Sequence, residues 1–198
     1  MGVEARLRDG SRATIRVATP DDTPALQAGF AHLSEDSRYA RFFTAVPELS
    51  GAVLRQLTEL DGRTRLAIAA FDPDRDSEVG TADGFGIAVG RLISPDTEPT
   101  VAELAVAIID EYHGRGLGHW LVAGLIAAAE QVGFTEIRGF VLSTNEAMIA
   151  LFRGMGATIR KDHPPEAGVI EFVVTVAEAG ARLRERGPSP DLFAGFFA

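Results

Sequence analysis

Two rhythms of apolar and polar positions run through the 198 residues, and the switches between them mark out the elements. Short apolar runs at 13–17, 66–71, 86–93, 101–109, 137–142, 158–161 and 169–176 read as strands. Helical spacing covers 116–132 and 145–155. Thr19-Pro20-Asp21-Asp22 reads as a helix start, with a capping hydroxyl, a proline in the first turn and acids behind it, and predicts a helix to about Leu33. Ser34 caps a shorter helix expected over 35–43, and another is expected over 50–60. The stretch 72–83, rich in Asp, Pro and Gly, reads as a long hairpin connection. Alternation of the two element types predicts an α/β fold with a mixed central sheet of about six to seven strands and flanking helices.

Between the strand at 101–109 and the helix at 116–132 lies His113-Gly114-Arg115-Gly116-Leu117-Gly118. Glycines let the main chain approach a ligand closely, and the unpaired N–H groups of a first helical turn present positive charge to an anion. A pyrophosphate-sized ligand is therefore expected here. A Walker A loop would end in Gly-Lys-Ser or Gly-Lys-Thr, whereas Gly116 is followed by Leu117-Gly118. A dinucleotide fingerprint wants G-x-G-x-x-G and an acid closing the next strand; the spacing is G-x-G-x-G, and 137–142 holds no acid.

Composition narrows the field. Hydrophobic content of 46% suffices for a core, and no apolar stretch reaches membrane-spanning length. Residues 1–10 are charged and lack a secretory apolar core, so a cytoplasmic location is expected. A formal charge of −9 argues against nucleic acid as a partner. Cysteine is absent, which removes disulfides and thiolate metal sites; His32, His113, His119 and His163 have no ligand spacing, and no metal is expected.

Glu103 is the candidate for acid–base chemistry. It interrupts an otherwise buried-looking strand, where an ionised carboxylate is costly unless it meets water, a partner or a cleft. Strand alternation puts Ala105, Ala107 and Ile109 on its face, and the small residues leave room beside it. The competing reading is a solvated strand edge or an arginine pair. Asn145 stands where it can cap the following helix, and Trp120, Leu121 and Leu125 read as helix core.

The run Tyr112-His113-Gly114-Arg115-Gly116-Leu117-Gly118 resembles the acyl-CoA pyrophosphate loop of the GCN5-related N-acetyltransferase (GNAT) superfamily, with His113 where that pattern has Gln or Arg. The run from Asn145-Glu146-Ala147-Met148 through Leu151-Phe152-Arg153 to Gly156 is similar to the family's later helix. Leu33-Ser34-Glu35-Asp36-Ser37-Arg38-Tyr39-Ala40-Arg41-Phe42-Phe43 resembles a segment of the Pat-type protein lysine acetyltransferases. In that branch the catalytic domain is often fused to a cyclic-nucleotide domain or an acyl-CoA synthetase; 198 residues have room for one catalytic domain and little else.

The resemblance implies a GNAT fold and direct acetyl transfer from acetyl-CoA to an amine, in a protein lysine or a small molecule, with Glu103 as general base. It implies cofactor contacts at Val106, Ala107 and Ile108, in the stretch where a main-chain N–H polarises the thioester carbonyl. Further contacts are implied at His113, Gly114, Arg115, Gly116, Leu117, Gly118 and His119, and at Asn145 and Phe152. Many members carry a tyrosine at the Phe152 position that protonates the leaving thiolate, which phenylalanine cannot do; a non-catalytic acyl-CoA-binding module is the alternative. The expected division is an N-terminal segment 1–12, a catalytic domain 13–177 and an extension 178–198. The extension carries Phe193, Phe196 and Phe197, which should leave water by packing back or by joining a second subunit in a homodimer.

Overall fold

The computed structural model describes residues 2–79, 81–160 and 168–197. Its strands are β1 (Val3–Arg6), β2 (Arg12–Val17), β3 (Arg65–Asp72), β4 (Phe85–Ile93), β5 (Val101–Ile108), β6 (Glu136–Leu142), β7 (Thr158–Arg160) and β8 (Val169–Thr175). The helices are α1 (Thr23–Ala31), α2 (Glu35–Phe42), α3 (Gly51–Thr58), α4 (Leu117–Val132), α5 (Glu146–Gly154) and α6 (Val176–Arg186). Among the described residues the strands form an eight-stranded sheet in the order β1-β2-β3-β4-β5-β6-β8-β7. The last residue of the strand expected at 158–161 lies outside the described residues, as does His163. No helix among the described residues is long and apolar enough to cross a membrane.

The strand beyond the seven expected is β1, inside the segment 1–12. Its alternation has only Ala5 fully inward, so it is too short and charged to stand out as a pattern. Register against β2, from Val3↔Ile15 to Arg6↔Arg12, makes it a strand. At the other end α6 crosses the division expected at 177. Val176 prolongs the apolar run of β8 in sequence, yet it is already helical, and Thr175 caps the turn by accepting the Glu178 N–H (3.3 Å). The helix expected from Thr19 begins instead as a 3-10 turn, Pro20–Asp22, before α1. There the Asp22 carboxylate turns back to accept the Thr19 N–H (2.8 Å).

α4 is apolar nearly all round, with every residue from 121 to 129 buried, as befits a helix enclosed on several sides. It lies against β3, β4 and β5 on one side and against α6 and the C-terminal turn Pro190–Phe193 on the other. The tail phenylalanines pack back on their own domain: Phe193 is fully buried and Phe196 meets it edge-on at 5.3 Å.

One feature of the sheet prepares the site. β5 pairs antiparallel with β4 from Glu103 to Ile108, but pairs parallel with β6 only at Val101, Ala102 and Glu103. Beyond Glu103 the two strands separate, leaving one edge of β5 without a ladder partner.

Candidate active site

Strand alternation decides which main-chain groups face that gap. Ile109 donates its N–H to Ile87 of the β4 side (3.0 Å), so odd-numbered residues of β5 bond toward β4 and even-numbered ones toward β6. The N–H groups of Val106 and Ile108 therefore point into the gap. That of Ala107 points to β4, and Ala107 offers the cleft its methyl group instead. The Ile108 carbonyl accepts from His113 Nε2 (2.8 Å), so the His113 ring ties the following loop to the end of the strand.

The loop has the backbone its glycines allow. Gly114 and Gly116 have φ of +72° and +87°, in the left-handed region open to glycine without strain. This turns the N–H groups of 114–118 outward, and none has an acceptor among the described residues. Gly116 caps α4, so the row of donors continues into a helix N-terminus.

A cation stands beside the row, and it is not Arg115. Arg115 pairs with Asp9 (2.8 Å), lies over the Tyr112 ring (4.5 Å) and does not line the cleft. Arg8, from the β1–β2 turn, lies against Gly116, its side chain 3.2 Å from where a Cβ would stand. Burial, with Arg8 nearby, pushes the His119 pKa below its ordinary value. The loop is pinned from the other side by Asp110, whose carboxylate accepts from the Ser34 N–H (2.9 Å) and from the Ser34 and Ser37 hydroxyls (2.6 and 2.9 Å). Those two serines open α2, so the loop and α2 are fixed to each other.

β6 and α5 form the facing wall. Asn145 caps α5, its Oδ1 accepting the Met148 N–H (3.1 Å), and it lines the cleft as well. Phe152 is 1% exposed and stacks on Phe172 at 5.3 Å, with the ring planes 8° apart. Its ring occupies the space above Gly139, where a Cβ would come within 2.0 Å of it.

Glu103 is exposed, on the sheet face opposite α4, with Ala105 and Ala107 beside it. Its neighbour across the parallel register is Arg138, which is already engaged by Glu136 (2.8 Å) and Glu98 (2.5 Å). The carboxylate of Glu103 accepts no hydrogen bond and makes no ion pair among the described residues. It lines the cleft together with Arg41 of α2 and with Phe43, the C-cap of that helix.

One cleft of about 570 Å³ thus gathers every expected site residue except Arg115. Arg8, Arg41, Phe43 and Phe140 line it too, and sequence spacing did not single them out. Nothing local marks Arg8 or Arg41 as unlike other surface arginines; the sheet order brings them in. The arrangement can hold a polyanion on the amides of 114–118, an extended chain along the free edge of β5, and an amine near Glu103.

Comparison with known proteins identifies the family and the fold. The family model described as acetyltransferase (GNAT) domain matches residues 12–158. Acetyltransferase Pat of Mycolicibacterium smegmatis is 29% identical over 161 residues, which cover 81% of this chain and 46% of the relative. The chain thus spans about half the length of that relative. Acetyltransferase PA5475 of Pseudomonas aeruginosa is 29% identical over 164 residues, covering 83% of this chain and 84% of the relative. Among solved structures, the GNAT domain of S. lividans PAT superposes with a TM-score of 0.76 at 28% identity, over 88% of this chain and 96% of that one. The fold also matches yncA of Salmonella typhimurium, solved with acetyl-CoA, with a TM-score of 0.61 at 19% identity over 83% and 94% of the two chains.

Proposed function

This chain belongs to the GNAT acetyltransferase family and is Pat-like within it; from that premise we propose that it moves an acetyl group from acetyl-CoA directly to the side-chain amine of a protein lysine, with Glu103 as general base. The observation that carries the reading is the continuity of the cleft, which joins amide donors, a free strand edge and an uncommitted carboxylate.

In this reading the pyrophosphate of acetyl-CoA lies on the N–H groups of 114–118, with Arg8 supplying the positive charge. Acetyl-CoA itself supplies an activated thioester. The N–H of Val106 or Ile108 donates to the thioester carbonyl oxygen, where negative charge grows as the amine attacks. Because both donors are held by the β4–β5 ladder, they need no reorganisation at that moment.

The acceptor is the harder half of the problem. A lysine amine has a pKa near 10.4, so about one molecule in 2,500 is neutral at pH 7. Only the neutral amine has a lone pair for attack. Glu103, which has no hydrogen-bond or ion-pair partner among the described residues, accepts its proton directly or through one water, and this gives the carboxylate its task. Phe152 has no proton to give, so solvent protonates the leaving thiolate in this scheme. The absence of cysteine agrees with direct transfer, since no thiol is available to carry the acyl group. The proposal carries with it a cytoplasmic location, where acetyl-CoA is at hand.

Thiol release from acetyl-CoA, followed for wild type and Glu103→Gln against an acyl-CoA synthetase protein and a panel of small amines, tests the reading. A general base of this kind contributes about 10²–10⁴-fold, so Glu103→Gln should lose at least about 100-fold in kcat while acetyl-CoA binds as before. Turnover confined to small amines would replace lysine with a small-molecule acceptor. Binding of acetyl-CoA without turnover on any acceptor would make the protein a non-catalytic acyl-CoA-binding module.

A further inference from the structure

Acetyl transfer as proposed uses the loop, the edge of β5 and Glu103, and leaves the C-terminal turn of α2 without a task. Arg41 lies there, in the wall between the cleft and an adjoining apolar cavity of about 80 Å³. It makes no hydrogen bond and no ion pair among the described residues. Its guanidinium lies over the Phe42 ring at 5.0 Å and feels the field of Glu103. Arg91 is only 4% exposed and carries the same charge, so Arg41 and Arg91 repel each other. Burial pushes the Arg41 pKa below its ordinary value and, helped by Arg41 and Arg65, the Arg91 pKa down to about 10. Arg41 thus brings to the cleft wall a positive charge that no hydrogen bond or ion pair among the described residues takes up.

The coenzyme phosphates do not account for it. Their amide row starts at Gly114, beyond the far end of β5, and Ile108 lies five positions along the strand from Glu103, roughly 17 Å at about 3.3 Å per residue. The acceptor side remains. Arg41 and Glu103 line the same cleft and present to it a positive and a negative group, a pattern complementary to a ligand that carries both an ammonium and a carboxylate.

Phe43 points the same way. It has φ of +55°, and among the described residues it is the only non-glycine with positive φ. Glycine or asparagine would close α2 there at little cost, whereas a bulky aromatic is strained. Its ring lines the cleft and takes no part in the hydrophobic core. Strain of this kind is held where the side chain has work to do.

We propose that Arg41 and Phe43 form the acceptor-recognition corner of the cleft, and that the preferred acceptor is a lysine with an aspartate or glutamate beside it. Arg41 takes the acidic neighbour and Phe43 packs on the aliphatic part of the acceptor, while Glu103 meets the amine. This rests on the reading of the cleft as an acetyl-transfer site.

Two peptides that differ only in Glu or Gln next to a single lysine test it, with wild type, Arg41→Gln, Arg41→Lys and Phe43→Gly. In wild type the acidic peptide should have a KM about tenfold lower than its Gln counterpart, the factor that one charge-assisted hydrogen bond readily supplies. Arg41→Gln should abolish that preference and Arg41→Lys should keep part of it, with the KM for acetyl-CoA unchanged in both. Phe43→Gly should raise KM for both peptides alike and leave Tm equal to wild type or higher, which separates lost binding from lost folding. Equal KM values for the two peptides in wild type, or an equal fall in kcat on both in Arg41→Gln with the preference intact, would overturn the proposal alone. Acetyl-CoA binding with no turnover of any amine would overturn the acetyl-transfer reading and the corner with it.

Discussion

Gly139→Ala adds a single methyl group in β6, against the ring of Phe152. An ideal Cβ there lies 2.0 Å from Phe152 Cζ and 2.6 Å and 2.9 Å from its Cε atoms, where ordinary contact begins at 3.4 Å. The ring cannot slide aside, because Phe152 is 1% exposed and Phe172, fully buried, lies parallel to it at 5.3 Å. Overpacking of this kind costs about 1–3 kcal/mol, and so close an approach sets the expectation at about 3. The ceiling is expulsion of the ring, which would forfeit about as much as Phe→Ala, about 3–5 kcal/mol. For a chain of this length a loss of about 3 kcal/mol lowers Tm by roughly 6–12 °C. Thermal and urea unfolding measure it. The mechanism also predicts a rescue: Phe152→Leu alone should cost about 1–2 kcal/mol through lost volume and stacking, but should relieve the clash in the double variant. The double variant should therefore be more stable than the sum of the singles by at least about 1 kcal/mol. A Gly139→Ala Tm within about 2 °C of wild type, or strict additivity, would refute the argument that this glycine makes room for Phe152.

Three further expectations follow from other parts of the molecule. Gly116→Ala forces a left-handed residue that costs about 1–2 kcal/mol and presses on Arg8 at 3.2 Å, so acetyl-CoA affinity by calorimetry should fall. Gly10→Ala, with φ of +88° and open space around it, should carry the strain without the loss of affinity. Burial pushes the Asp22 pKa up, but hydrogen bonds from Arg16 and the Thr19 N–H more than reverse this and leave it below the ordinary 3.8. Its contribution to stability is accordingly full above that value and lost as pH falls through the lowered one, and Asp22→Asn should flatten the acid limb of urea midpoints below about pH 4. Phe193→Ala empties a site fully closed from water beside Gly124 of α4, so stability should fall by about 3–5 kcal/mol while the mass by light scattering stays the same. A change in mass instead would mean that the tail holds two subunits together.

Period and punctuation in the chain alone determined the order of the elements from β2 to β8, the place of the glycine loop and the segment that holds Glu103. Those signals are local: a strand shows in alternation, a helix start in its capping serine, and a left-handed turn in Gly114 and Gly116. Where local signals were weak or overlapped, the reading fell short. β1 is charged and short and needs β2 to exist as a strand, and α6 begins inside the apolar run of β8. Likewise Ser34 was legible as a cap, but not that it also binds Asp110 and so fixes α2 to the loop. Only the tertiary structure decided which arginines reach the cleft. Arg115 sits in the loop itself yet is drawn off by Asp9, while Arg8 arrives from a hairpin turn at the far edge of the sheet and Arg41 from a helix packed across it. It also decided that Val106 and Ile108, not Ala107, turn their N–H groups into the gap, because that depends on the register with β4 and on where β6 parts from β5. Such juxtapositions arise from burying several apolar faces at once, and no stretch of neighbouring residues encodes them.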